Sequence, residues 1–138
     1  MLRDNSVDLL YASHVVEHLP RPKLLPTLKE WRRVLKSGGI FRFSVPDFDN
    51  LIKVYEDSGN VETIRDQVLG QNPPYNNHHT LWNYDQAVKV LTTANFTNVR
   101  RWSPDAVEHH DFKDRSGRTL SVSNGEVPLS LNIEATKP

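Results

Sequence analysis

Two short apolar runs separated by one amphipathic stretch restrict this chain more than any other feature. Val7-Asp8-Leu9-Leu10-Tyr11-Ala12 is nearly continuous in apolar residues, and so is the stretch from Ile40 to Val45. Runs of this kind form strands buried on both faces, which belong to parallel sheets covered by helices. Between them Leu24, Leu25, Leu28, Trp31, Val34 and Leu35 recur at three- and four-residue steps, the stripe of a helix packed on one side. Strand, helix, strand is the parallel crossover unit, and it points to an α/β fold.

The punctuation around these segments extends the pattern. Pro26 is expected in or near the first turn of the helix, where a missing N–H costs little. Gly38-Gly39 is expected to end that helix through a left-handed residue, and Pro46 to stop the following strand. Asp47 is placed to cap a helix carrying Phe48, Leu51, Ile52 and Tyr55, which Ser58-Gly59 closes. Val61 to Leu69 reads as a further short helix ending at Gly70. The segment from Gln71 to Asn83 is the longest irregular piece, and a loop of that length in a small domain commonly carries function. Tyr84 to Ala94 is helical, with Ala87, Val88, Leu91 and Ala94 inward; Val99 to Trp102 is a strand, followed by a charged loop from Pro104 to Arg115. Finally Leu129, Leu131, Ile133 and Ala135 alternate with Ser130, Asn132, Glu134 and Thr136. That period of two predicts a half-exposed strand in antiparallel pairing.

Composition excludes several functions. Lysine plus arginine and aspartate plus glutamate both number 17, and no basic stripe is visible, so nucleic acid is not an expected partner. The absence of cysteine removes disulfides, thiolate catalysis and thiolate metal sites, and fits a cytoplasmic location. With neither a signal pattern nor a spanning segment, no membrane association is expected. At 138 residues the chain is read as a single domain, 1–138.

Five segments, in order, resemble the class I S-adenosylmethionine-dependent methyltransferases, in particular those acting on small molecules and glycans. Asn5 to Leu19, ending Ser13-His14-Val15-Val16-Glu17-His18-Leu19, is similar to that family's fourth strand and the turn after it. Trp31-Arg32-Arg33-Val34-Leu35-Lys36-Ser37-Gly38-Gly39 resembles its "RVLKPGG" segment, with Ser37 in place of proline. Ser44-Val45-Pro46-Asp47 looks like the end of the fifth strand, and Ala94-Asn95-Phe96-Thr97-Asn98-Val99 like the "AGF-x-x-V" segment before the sixth. Asn95 there replaces glycine but tolerates the same left-handed conformation. Leu129 to Pro138 resembles the closing seventh strand.

The resemblance implies a partial Rossmann-like sheet, strands four to seven with flanking helices, in which parallel strands are closed by an antiparallel one. It implies S-adenosylmethionine as cofactor and a small-molecule or glycan-type methyl acceptor. In the family the cofactor rests on a glycine-rich loop after the first strand, and no G-x-G-like pattern occurs in this sequence. The chain is therefore expected to be a truncated domain opening on what should be a central strand. Such an edge needs a cover: a second copy of the chain, another polypeptide or a rearranged N-terminus.

The resemblance places Ser13, His14 and Val15 at the sheet's carboxyl edge, where open α/β folds bind ligands, and so beside the cofactor. His14 is the candidate catalytic base, and Asp47, His78, His79 and Trp82 are candidates for the acceptor side. Trp82 in the long loop is suited to stacking on a ligand, whereas Trp31 and Trp102 read as packing. Methyl transfer also proceeds by positioning alone, because the leaving group is already activated. Two other readings stand beside this one. The chain is then a non-catalytic remnant serving as an interaction or regulatory module, or it is a zinc hydrolase using His14, Glu17 and His18 as H-x-x-E-H. For the last the sequence supplies no third ligand, and no residue is assigned to a metal. His109-His110-Asp111 reads as a solvated loop segment.

Overall fold

The computed structural model describes residues 1–72 and 74–138. It is an α/β structure whose main sheet has four strands: β1 (Val7–Ser13), β2 (Leu35–Pro46), β3 (Thr97–Arg101) and β6 (Ser130–Thr136), in the order β1-β2-β6-β3. β1 and β2 are parallel, and β6 runs antiparallel to both β2 and β3, so the sheet is mixed. The helices are α1 (Arg21–Val34), α2 (Phe48–Ser58), the single turn α3 (Arg65–Leu69) and α4 (Tyr84–Thr93). A separate hairpin, β4 (Thr119–Val122) with β5 (Gly125–Pro128), lies against α2, where Asn50 Nδ2 donates to the Pro128 carbonyl.

The period-two pleat divides β2 by face. Phe41, Phe43 and Val45 are fully buried in the core with Leu24 and Leu28 of α1, Ala87 and Leu91 of α4, and Leu131, Ile133 and Ala135 of β6. Burying a side chain of that size contributes about 1.5–3 kcal/mol, so this face dominates the fold's stability. Arg42 and Ser44 point the other way, where Tyr11, Asn132, Glu134 and the segment 103–118 cover them.

Several sequence expectations need correction. Pro26 lies inside α1, at its sixth residue, not in the first turn, which Arg21 and Pro22 occupy. It is tolerated because it is exposed, leaving the Pro22 carbonyl that loses a bond accessible to water. α1 ends at Val34, before Gly38-Gly39, and β2 begins at Leu35. Gly38 is left-handed (φ 79°), as expected, but it serves an irregularity in the β1–β2 register between Val7 and Leu9. At Gly39 a Cβ would stand 2.8 Å from the Lys36 carbonyl oxygen, so this turn needs glycine for space. The stretch Val61 to Leu69 divides into a 3₁₀ turn, Val61–Thr63, and α3.

β6 is not half-exposed. It is interior to the sheet, and even its polar residues Ser130 and Glu134 are buried. Alternation misleads here because neighbouring strands supply polar partners: Arg42 for Glu134, Ser44 for Asn132, and the residue after β1 for Ser130. The caps at Asp47, Gly59 and left-handed Asn95 agree with the sequence. Among the described residues no helix is long and apolar enough to cross a membrane.

Candidate functional site

Because β1 and β2 are parallel, both deliver their carboxyl ends to one edge, and antiparallel β6 starts there. This brings His14, Asp47 and Ser130 together from distant parts of the chain. His14 follows β1 with φ 52°, a left-handed conformation uncommon for a residue with a Cβ and enriched at functional sites. Its N–H donates to the Ser44 carbonyl at 2.7 Å, so β2 holds the backbone in that conformation. The chain then turns through a 3₁₀ turn, Val16–His18, that buries Val16 and Glu17.

His14 has a close contact at each ring nitrogen. Nε2 lies 2.8 Å from Ser130 Oγ, and Nδ1 lies 3.2 Å from Glu17 Oε1. The Ser130 hydroxyl also lies 2.8 Å from the Arg115 carbonyl, which can only accept. The single hydroxyl proton therefore goes to Arg115, and His14 Nε2–H is the donor to Ser130. With that nitrogen protonated and the side chain 8% exposed, His14 Nε2 is not free to take a proton in this geometry.

Glu17 is the unusual group. Its side chain is 1% exposed, and among the described residues neither carboxylate oxygen has a hydrogen-bond partner of good geometry. Around it stand His14 Nδ1, His18 Nε2 at 3.9 Å, and His78. His78 arrives from the long loop, which two backbone bonds fasten: His78 N–H donates to the Leu69 carbonyl, and His79 N–H to the Glu17 carbonyl. Its ring meets His18 edge-on, with centroids 4.6 Å apart. Burial lowers the pKa of His78 below its ordinary value, against the opposing pull of its bond to the Gln67 carbonyl and of Glu17. Gly70, at φ 90°, lets this loop approach: a Cβ there would fall 1.8 Å from the Asn76 carbonyl oxygen.

The sequence-predicted residues thus separate. His14 and His78 border one small cavity of about 60 Å³, with Arg115 and Arg118. Asp47 borders a larger neighbouring one of about 360 Å³, with Arg101, Ser130 and Asn132; Arg118 lines both. Burial raises the pKa of Asp47, opposed by the Arg101 guanidinium and by backbone N–H groups of α2. Ser13 ends β1 half-buried, and Val15 is 44% exposed beside it. Trp82 is not available to stack on a ligand. It is 2% exposed, packs edge-on against Phe43, and donates its Nε1–H to Thr80 Oγ1, because the segment after the loop pairs with Asp47 and returns into the core. His110 is not solvated either: its ring is 2% exposed among Tyr11, Trp102 and Phe112.

His14, Glu17 and His18 do not form the helical zinc motif. The segment is a 3₁₀ turn preceded by a left-handed residue, so the two imidazoles do not share one helix face with one-turn spacing. Two features of the site escape sequence reasoning: Ser130, and the approach of His78 to Glu17. A strand read as half-exposed conceals the first, and a separation of some sixty residues conceals the second.

Comparison with known proteins bears on the fold. A family model described as "Methyltransferase domain" matches residues 1–43, which include β1, the His14–His18 turn and most of β2. A search of curated proteins finds no match. Among solved structures, the chain is similar to a SAM-dependent methyltransferase from Thermotoga maritima, described as a possible histamine N-methyltransferase (17% identity, TM-score 0.58, 99% of this chain and 59% of that one). It is similar to a SAM-dependent methyltransferase from Methanosarcina mazei (19%, TM-score 0.56, 99% and 61%). It is also similar to the 1,6-didemethyltoxoflavin-N1-methyltransferase of Burkholderia thailandensis (14%, TM-score 0.54, 99% and 46%). The chain spans 59% and 61% of the length of the first two structures. The matched segment resembles a methyltransferase domain, and the likeness to these structures shows a shared fold.

Proposed function

We propose that this chain contributes one wall of a methyl-transfer site in which S-adenosylmethionine is the donor and a hydroxylated small molecule or glycan the acceptor. In this reading β1, β2, β3 and β6 are the fourth, fifth, sixth and seventh strands of the family's Rossmann-like sheet. The observation that carries it is a coincidence of place. The segment matched to the methyltransferase domain contains the left-handed His14 and buried Glu17, at the same carboxyl edge where Asp47 and Ser130 converge.

Ser13 and Val15 are the residues that would border the cofactor. Val15 is an apolar side chain left 44% exposed at the end of β1, which suits contact with a planar, weakly polar group. Bound there, S-adenosylmethionine supplies a methyl group already activated by its sulfonium. The chain's own part is positioning. His14 donates to Ser130, which fixes the start of β6 against the end of β1. The 360 Å³ cavity offers the Asp47 carboxylate, Arg101 and Asn132 to a hydroxyl-bearing acceptor. Holding an acceptor in line replaces much of what a dedicated base would contribute.

Calorimetric titration of the full chain with S-adenosylmethionine and S-adenosylhomocysteine tests this reading. Saturable heat with one site per chain is expected, and no heat at millimolar ligand would refute cofactor binding by this chain. A second reading, an interaction or regulatory module, is favoured by one observation: among the described residues β1 pairs only with β2, so its other edge has no strand partner. Such an edge invites a second copy or a partner chain. Sedimentation at micromolar concentration separates the cases, a dimer supporting the covered edge and a monomer opposing it.

A further inference from the structure

We propose that Glu17, His18 and His78 form a binding site for a divalent transition-metal cation, with zinc the reference ion. One ligand atom from each of the three lies within 4.8 Å of the other two. A tetrahedral ion with bonds of about 2.0–2.1 Å holds its ligand atoms about 3.4 Å apart, so small side-chain rotations close the set.

The direction of each imidazole supports the assignment. His18 Nδ1 lies 3.0 Å from the Asn77 carbonyl, and His78 Nδ1 lies 2.8 Å from the Gln67 carbonyl. A carbonyl only accepts, so both Nδ1 atoms carry protons and both Nε2 atoms of the neutral rings carry lone pairs. Fixing one ring nitrogen on a backbone carbonyl while the other faces the ion is the usual second shell of a metal-bound histidine. The third donor is the Glu17 carboxylate, 1% exposed with both oxygens lacking a well-formed hydrogen bond among the described residues. A buried carboxylate without a well-formed hydrogen bond is costly even with His14 Nδ1 3.2 Å away, and a cation offsets that cost.

The arrangement differs from the H-x-x-E-H reading in a way that matters chemically. Glu17 is a ligand here, not a general base, and His78 replaces His14. The donor set of two imidazoles and one carboxylate suits zinc, cobalt, iron and nickel better than magnesium or calcium. His78 also borders the small cavity with His14, so one of the three ligands stands on the wall of that space. An acceptor oxygen reaching the ion from there would be oriented by it; that consequence rests on the methyl-transfer reading, whereas the binding itself does not.

The test uses the full chain, stripped with a chelator and dialysed. Calorimetric titration with zinc chloride should show one ion per chain at micromolar affinity or better. Cobalt chloride should give the visible absorption of a low-symmetry nitrogen and oxygen site. Glu17→Gln and His78→Ala should each weaken binding by at least a hundredfold, while His109→Ala, at an exposed position, should not. Circular dichroism shows whether each variant folds, and the unaltered protein decides the matter even if one does not. Failure of the unaltered chain to bind zinc stoichiometrically overturns the proposal, as does undiminished affinity in folded variants. Metal binding without a cofactor heat would leave this site standing and count against the transfer reading; a cofactor heat without metal would do the reverse.

Discussion

Replacing Glu134 by alanine should be among the most damaging single changes outside the apolar core. Its carboxylate is 7% exposed and accepts from Arg42 Nε at 2.9 Å and Arg100 Nη2 at 2.8 Å, joining β2, β6 and β3 across the sheet. Arg42 is the side chain that suffers, because it is 3% exposed and cannot regain water. It would keep only its bond to the Glu108 carbonyl and the face of Trp102, 5.2 Å from the guanidinium carbon. Removing one partner of a buried pair costs about 3–5 kcal/mol. The Arg100 arm adds about 0–1 kcal/mol, since that side chain is 36% exposed and screened. Against a typical total stability of about 5–15 kcal/mol this is a large fraction. It corresponds to a fall in Tm of about 10–20 °C for a chain of this length. Urea denaturation followed by circular dichroism measures it. The double variant Arg42→Met with Glu134→Leu should recover most of the loss, because no uncompensated charge remains. A Glu134→Ala variant within about 1 kcal/mol of the parent, or a double variant no better than the single, would refute the reasoning.

Three further changes probe the site edge. Asp47→Asn should be neutral or stabilising near neutral pH, since asparagine caps as well as aspartate and carries no charge to bury. The folded-state pKa of Asp47 is raised by burial, so the folded protein binds its proton more tightly than the unfolded chain. The penalty is thus complete above the folded pKa and is relieved as pH falls through it, and the advantage of the Asp47→Asn variant should fade in acid denaturation series. Ser130→Ala should cost about 1–3 kcal/mol, since it leaves His14 Nε2–H and the Arg115 carbonyl without their partner; chemical denaturation reads this directly. Gly70→Ala should displace the Asn76–His78 segment, because its Cβ would overlap the Asn76 backbone, and should reduce zinc affinity in the titration above without altering the Glu17 turn.

The fold is legible in the sequence where periodicity and backbone chemistry decide it. Runs at Val7 and Ile40, the stripe of α1, the cap at Asp47 and left-handed Asn95 all follow from local sequence. What escapes is set by tertiary partners. The alternation in Ser130–Thr136 describes the pleat correctly but cannot say that Arg42 and Ser44 await its polar side. The hairpin of β4 and β5 does carry a local signal, since Leu120 and Val122 alternate with polar residues before Asn124-Gly125, but the segment is short and mostly polar. Trp82 is misjudged from sequence because its loop ends by pairing with Asp47, a contact that no local rule contains. The site is half legible: His14, Glu17 and His18 stand close in sequence, while Ser130 and His78 reach them only through strand order and a loop pinned at Gly70.

One polar ladder runs along the sheet to its carboxyl edge. Arg42–Glu134 and Ser44–Asn132 succeed one another along β2 and β6 on the face opposite Phe41, Phe43 and Val45, and at the carboxyl edge His14, the residue after β1, meets Ser130. Because side chains alternate, a slip of one residue between β2 and β6 would drive Ile133 into this ladder and Glu134 into the aromatic core. The buried pair therefore enforces register, and register sets Ser130 opposite Pro46, within hydrogen-bond reach of His14. The same ladder anchors the covering segment, since Arg42 holds the Glu108 carbonyl and Asn132 holds that of Ser116. A side chain at the site edge is thus positioned to within a hydrogen bond by contacts that begin well away from it. For that reason the left-handed His14 is sustained by the sheet and not by its own turn.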